Sequence, residues 1–369
     1  MRARSNAVFT AAATSGRLPV GSGDVNDSAI HGLGVTVAGL SGRGVSVQAV
    51  QNNHIVHLVG PCDTRTVLVH KKNVSAARVT VVIVGTGYSG STLLSLLLDH
   101  HPALCSIGEL TGPKHMPDPS IYPCSCGALI DDCPLWRPVM ADASDSGFPM
   151  SSSQWDLHFT LRPSRFDRVL TRTLGHNRLD RWRDRAVAAL PMGARLGDVG
   201  ARNSAVLAAL RKNSGKPVVV DASKDPRRVP LLRLYAGETV RTIHLVRQAP
   251  AYVSSALGHG ASLEGAIRAW NRMAAQALKL EGPVMRLHYE DLVVDPLGAV
   301  NRCAAFCDAA PMADLPRWEK TEHHVIGNRM RHVFDGSVRL DTRWRERLQP
   351  GQIADVERKT KVWTERLAG

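Results

Sequence analysis

Six β-branched residues in unbroken order, Val79-Thr80-Val81-Val82-Ile83-Val84, run directly into Gly85-Thr86-Gly87-Tyr88-Ser89-Gly90-Ser91-Thr92. A run with no polar face suits a strand buried on both sides, and such strands belong to parallel sheets covered by helices. Thr92-Leu93-Leu94-Ser95-Leu96-Leu97-Leu98 then opens a helix that His100-His101-Pro102 stops. A strand, a glycine-rich turn and a helix start aim backbone N–H groups at one point, which is a place for an anion. This segment commits the chain to an α/β architecture.

The strand pattern recurs at 217–221, at 240–246 and at 283–289, with helical stretches between, notably 263–280. Alternation of this kind predicts a mainly parallel sheet. The largest insertion, 113–215, is expected to be mainly helical, to cap the site and to contact the acceptor. Residues 1–78 are rich in Gly, Ser, Ala, Val and Asn and lack a sustained helical period. They read as a weakly ordered extension or a small β-rich appendage, and 79–369 as the functional domain.

Of 369 residues, 44% are hydrophobic and 21% charged, a balance that excludes a wholly disordered or collagen-like chain. No apolar stretch approaches the roughly 18–20 residues of a membrane span. Arg2 and Arg4 are not followed by a continuous apolar core, so no signal peptide is expected. Seven unevenly placed cysteines do not describe a secreted disulfide scaffold, and a reducing, cytoplasmic setting is the expectation. The net charge of +13 suits anionic partners, while an aromatic content of 5% argues against a base-stacking surface for nucleic acid.

Against the nucleotide-triphosphatase pattern GxxxxGK[ST], Gly85, Gly90 and Thr92 fit, but Ser91 stands where the lysine belongs. That lysine reaches the β- and γ-phosphates, so its loss argues against phosphoryl transfer. A plain glycine turn with a capping Ser or Thr is the alternative. Ser89-Gly90-Ser91-Thr92 resembles the 5′-phosphosulfate loop of sulfotransferases that use 3′-phosphoadenosine 5′-phosphosulfate (PAPS), which reads Lys/Arg-Ser-Gly-Ser/Thr-Ser/Thr. The family's second element is a strand ending in Arg with a Ser eight residues on. Arg247 and Ser255 have that spacing. Ser223-Lys224-Asp225-Pro226, Tyr289-Glu290-Asp291-Leu292 and Gly327-Asn328-Arg329-Met330-Arg331 resemble later family segments, as does Asp341-Thr342-Arg343-Trp344. The resemblance spans 79 to about 348. It has features of the bacterial, tyrosylprotein and carbohydrate branches.

The resemblance implies a P-loop-type three-layer α/β fold, with a central, mainly parallel sheet and a helical insertion. It implies PAPS as co-substrate, no metal, and a glycan, lipid or small-molecule hydroxyl as acceptor. Gly87, Tyr88, Ser89, Gly90, Ser91 and Thr92 would hold the 5′-phosphosulfate, and Arg247 and Ser255 the 3′-phosphate. Tyr289, Asn328 and Arg331 would complete the nucleotide site. Glu109 occupies a stretch comparable to that of the family's glutamate base; its alternative role is a turn cap or an Arg partner. Lys224 is suited to the bridging oxygen of the donor, or to solvent in a turn. Tyr289 is equally suited to the core. Tyr88 departs from the family's Lys or Arg and adds no charge at neutral pH, so Lys224 or Arg331 would have to compensate.

Cys124, Cys126 and Cys133 offer three thiols where a structural zinc wants four ligands. His115 or a remote residue would be needed, so buried thiols or a labile disulfide are the favoured reading. Cys303 and Cys307 read as core. The arginines of 161–185, from Arg162 to Arg185, read as a solvated helix face or a surface that steers an acidic acceptor. Rival functions are a P-loop nucleotide kinase and a non-catalytic nucleotide-binding module.

Overall fold

The computed structural model describes residues 78–112, 118–159, 191–317 and 322–368, isolated positions between 179 and 189, and short strands within 1–77. The chain divides into two units, Met1–Ala77 and Arg78–Gly369. In the first, β1 (Thr10–Ala11) pairs antiparallel with β2 (Val35–Thr36). There too β3 (Ser46–Ala49), β4 (Val56–Gly60) and β5 (Asp63–Val67) make an antiparallel three-stranded sheet.

The second unit opens with β6 (Val79–Val84), α1 (Ser91–Asp99) and β7 (Leu104–Ser106), followed by α2 (Trp136–Asp145) and α3 (Pro191–Ser214). Next come β8 (Val218–Lys224), α4 (Arg228–Tyr235), β9 (Thr239–Val246), α5 (Ala249–Leu257) and α6 (Leu263–Ala277). The chain continues through β10 (Val284–His288), α7 (Tyr289–Val294) and α8 (Pro296–Phe306) to α9 (Met330–Val333), α10 (Trp344–Arg347) and α11 (Pro350–Ala368). The five strands β6–β10 form one sheet ordered β10-β9-β6-β8-β7, every pairing parallel. β6 lies between β8 and β9, so the strand order reverses at its carboxyl end. In an open α/β sheet that reversal leaves a crevice for a ligand.

The period-two alternation of β6 assigns its residues to two cores. Val82 and Val84 pack with Trp136, Val139, Leu207 and Val229 on one face. Val81 and Ile83 pack with Leu94, Leu97, Leu292 and Val300 on the other. Three layers result, as the alternating pattern predicts. In the described part of the 113–215 insertion, Trp136, Trp155, Leu196 and Leu207 are buried in the first core, so this part covers one face of the sheet. A sheet buried on both faces needs such cover, and α4, Ala277 of α6 and Val325 share in it. A third cluster, with Val253, Trp270 and Val356, joins α5, α6 and α11. Among the described residues, no helix is long and apolar enough to cross a membrane.

Candidate active site

The loop after β6 is shaped by close packing. A Cβ at Gly85 would lie 2.6 Å from the Leu245 carbonyl oxygen, and one at Gly90, whose φ is +90°, would collide with the Tyr289 ring. Only glycine fits at either position. Ser89 is fully buried and its Oγ has no hydrogen-bond partner. An orphaned buried hydroxyl is costly, and here it sits within a loop whose next residues start α1. That combination fits an anionic ligand. The Thr92 hydroxyl accepts from the Asn328 N–H at 3.2 Å, so the C-terminal segment reaches the loop.

Arg247, at the end of β9, is 7% exposed and ties the second element to the loop. Its Nη1 donates to the Tyr88 carbonyl at 2.8 Å and to Ser255 Oγ at 3.4 Å, and its Nη2 meets Asp341 Oδ2 at 3.1 Å. The guanidinium lies 4.8 Å from the Tyr289 ring centroid, while its Nε is buried without a partner. Arg343 and then Arg247 hold the Asp341 carboxyl well below the usual carboxylate range. Burial raises the Tyr289 hydroxyl above its ordinary value. Tyr88 adopts φ 60° and stacks on His259, ring centroids 4.3 Å apart. Its ring is thus a partly exposed platform, and its backbone, not its side chain, serves Arg247.

Glu109 and Lys224, 115 residues apart, form a direct ion pair. Both are held by one buried carboxylate. Asp221 Oδ1 accepts from the N–H of Leu110 at 3.2 Å and of Ser223 at 2.9 Å, the neighbours of Glu109 and Lys224. Asp221 Oδ2 pairs with Arg228, whose other nitrogens donate to the Leu157 carbonyl at 3.0 Å and Asn203 Oδ1 at 2.7 Å. Lys224 has φ 62°, a left-handed conformation that costs energy for a residue with a side chain.

A cleft of about 450 Å³ opens beside Lys224 and the loop, lined by Gly85, Gly87, Lys224, Arg227, Tyr252 and Arg272. A larger cavity, about 780 Å³, lies behind Arg247 and is lined by Trp270, Trp344, Arg358 and Lys361 among others. The smaller one borders both the loop and Lys224. Arg247 borders only the larger. Two expected ligands are placed differently. Arg331 is buried, donates to the Pro123 carbonyl at 2.9 Å and the His324 carbonyl at 3.2 Å, and lies over Tyr122. Its guanidinium is committed there and does not replace the charge absent at Tyr88. The Asn328 side chain accepts from Met330 N at 3.1 Å, capping a turn, so the backbone of Asn328 makes the contact to the loop.

Sequence reasoning passed over the roles of Asp221 and Arg228, and took Asp341 only as part of a family-like segment. A charged residue ending the apolar run 218–220 was the available signal for Asp221. His115 and most of the arginines of 161–185 lie outside the described residues; among that stretch Arg183 is described. Cys124, Cys126 and Cys133 come together with His323.

Neither a family model nor a curated protein matches the chain. Solved structures do, and three of those it resembles are sulfotransferases. The domain from the Synechococcus PCC 7002 olefin synthase is 18% identical, with a TM-score of 0.47, over 79% of this chain and 95% of its own. The domain from the curacin biosynthetic pathway is 16% identical, with a TM-score of 0.40, over 77% and 97%. A sulfotransferase of Mycobacterium tuberculosis H37Rv is 13% identical, with a TM-score of 0.35, over 77% and 76%. Likenesses this distant assign no role to any residue of this chain.

Proposed function

We propose that the chain transfers a sulfuryl group from PAPS to a hydroxyl acceptor. The observation that carries this reading is one buried junction: the glycine-shaped loop with its orphaned Ser89 hydroxyl, bonded through the Tyr88 carbonyl to Arg247. Two anion sites on neighbouring strands suit a ligand with two separate phosphates. Ser91 in place of the kinase lysine disfavours a nucleoside triphosphate.

The donor supplies the sulfuryl group and a phosphate leaving group. Loop N–H groups with Ser89, Ser91 and Thr92 bind and orient its 5′ end, and Arg247 with Ser255 binds its 3′-phosphate. Glu109 takes the acceptor's hydroxyl proton as the new O–S bond forms. Protonation cancels the attraction of Glu109 for Lys224, so the ammonium is released to the oxygen left on the phosphate. The ion pair seen here is the resting arrangement of that exchange. The acceptor is a glycan, lipid or small molecule reaching the cleft over Lys224.

Thermal unfolding with adenosine 3′,5′-bisphosphate and with ATP is the first test: the bisphosphate should stabilise more, and the reverse order favours the kinase reading. Labelled PAPS with a mixture of hydroxyl acceptors is the second. Glu109→Gln should keep donor binding and lower turnover by roughly a hundredfold or more. Binding without turnover in the parent protein would leave the non-catalytic nucleotide-binding module, a reading that Tyr88 in place of a cation favours.

A further inference from the structure

The turn at 124–128 brings two thiols to one point. Cys124 N donates to the Ala128 carbonyl at 2.8 Å and Gly127 N to the Cys124 carbonyl at 3.0 Å, while Gly127 has φ +94°. Cys133 joins them just ahead of α2, whose N-terminus favours a thiolate. The fourth group comes from far along the chain. His323 Nδ1 lies 3.2 Å from Cys133 Sγ, and the four ligand atoms all lie within 4.8 Å of one another.

The spacing discriminates between the fates open to such thiols. Cys133 Sγ is 3.6 Å from Cys124 Sγ and 3.8 Å from Cys126 Sγ, well beyond the bonded separation of about 2.05 Å. A tetrahedral metal with bonds of about 2.3 Å to sulfur and 2.0–2.1 Å to nitrogen requires S···S edges of about 3.8 Å and S···N edges of about 3.6 Å. The three edges from Cys133, at 3.6, 3.8 and 3.2 Å, are therefore already close to those of that tetrahedron, and all the others lie within 4.8 Å. Soft thiolates with one imidazole, closed on four sides, select zinc and leave no position for substrate.

The surroundings fix both limbs. Ser125 N donates to the His324 carbonyl at 3.1 Å, and Ser125 Oγ bonds both the Glu322 carbonyl at 2.6 Å and the His324 N–H at 2.8 Å. Trp136 Nε1 donates to the His323 carbonyl at 2.8 Å. Arg331 grips the carbonyls of Pro123 and His324, the neighbours of Cys124 and His323. Its cation balances the net negative charge that three thiolates leave on a divalent metal. From His323 the chain continues through Val325, whose N–H donates to the Ile107 carbonyl at 3.1 Å, to Asn328 at the loop.

We propose that Cys124, Cys126, Cys133 and His323 form a structural zinc site that clips the 322–328 segment against the loop carrying Glu109. The thiols bind as thiolates and release their protons on metal uptake. The site does not depend on the sulfotransferase reading, and its test measures metal rather than activity.

Protein isolated without chelators should carry equimolar zinc by plasma mass spectrometry, released when a mercurial titrates the thiols. Cobalt(II) exchanged for zinc should give thiolate-to-cobalt charge-transfer absorption and the intense visible bands of a tetrahedral ion. Cys126→Ser should lose the metal, and His323→Cys, which restores a soft fourth ligand, should retain it. Stripping zinc from the full chain should raise amide exchange across 322–328. If Cys126→Ser fails to fold, the cobalt spectrum of the parent decides. Reduced protein that takes up neither zinc nor tetrahedral cobalt overturns the proposal, as does iron–sulfur absorption or a disulfide within the cluster.

Discussion

Arg247→Ala separates ligand recognition from loop support. In the unliganded site the guanidinium holds the Tyr88 carbonyl at 2.8 Å and Asp341 at 3.1 Å, with Ser255 at a long 3.4 Å. On the proposed function a 3′-phosphate would compete with Asp341, which Arg343 Nε also holds at 2.7 Å. Loss of a charge-assisted contact of about 1.5–3 kcal/mol should weaken adenosine 3′,5′-bisphosphate on the order of ten- to a hundredfold. Adenosine 5′-monophosphate, which lacks that phosphate, should lose little. Asp341→Asn should act oppositely, because it removes a partly exposed competitor worth at most about 1 kcal/mol, or roughly fivefold in affinity. In the Arg247→Ala background the same change should do almost nothing, since the two residues are coupled through direct contact. Titration calorimetry of the four proteins with both nucleotides measures every arm. Equal losses for bisphosphate and monophosphate would refute the reasoning and show that Arg247 acts only by holding the loop.

Three further outcomes follow from the geometry. Tyr88→Arg should lower donor affinity, because it removes the stack on His259; tighter binding or faster turnover would mean that the family's cation is simply wanting there. Asp221→Asn should destabilise by about 3–5 kcal/mol in chemical denaturation, because it leaves the buried Arg228 without its counter-charge; a loss below about 1 kcal/mol contradicts the role of Asp221 as the common anchor. Burial, then repulsion from Arg286 and His288, depresses the His244 imidazole to about 3. The unfolded chain binds that proton near pH 6.5 and the folded chain does not, so as pH falls from about 6.5 to 3 this one group should lower stability by at most roughly 1.4 kcal/mol per unit. His244→Asn should flatten that part of the stability profile, and an unchanged slope counts against it.

Where local pattern carries the information, the sequence was legible. The run 79–84 with its glycine turn, and Arg247 eight residues before Ser255, sit in the described structure at the carboxyl ends of neighbouring parallel strands. Glu109 follows β7 and Lys224 ends β8, and adjacency of the two strands brings them together. The insertion was less legible: short 3₁₀ turns at Pro119–Ile121 and Ile130–Asp132 break any helical period before α2, so the burial of Trp136 in the core has no pattern to announce it. Arg331 illustrates a second limit: an arginine near a family-like segment carries no mark of which way its side chain turns. His323 lies 190 residues from Cys133, and no spacing rule links a ligand at that remove to a thiol pair.

The central position of β6 also governs how the chain can assemble during synthesis. Thr80 pairs with Val219 and Val240, residues made long after it. At about 5–20 residues per second, a ribosome needs roughly 7–30 s to extend the chain from β6 to β8. For that interval a strand whose residues are all buried in the finished protein has neither sheet neighbour. Its six β-branched residues contain no charge and no proline, the composition most prone to pair with a second copy. Slower, cooler expression or a chaperone that shields nascent apolar segments should therefore raise the soluble yield more than added salt or glycerol after lysis.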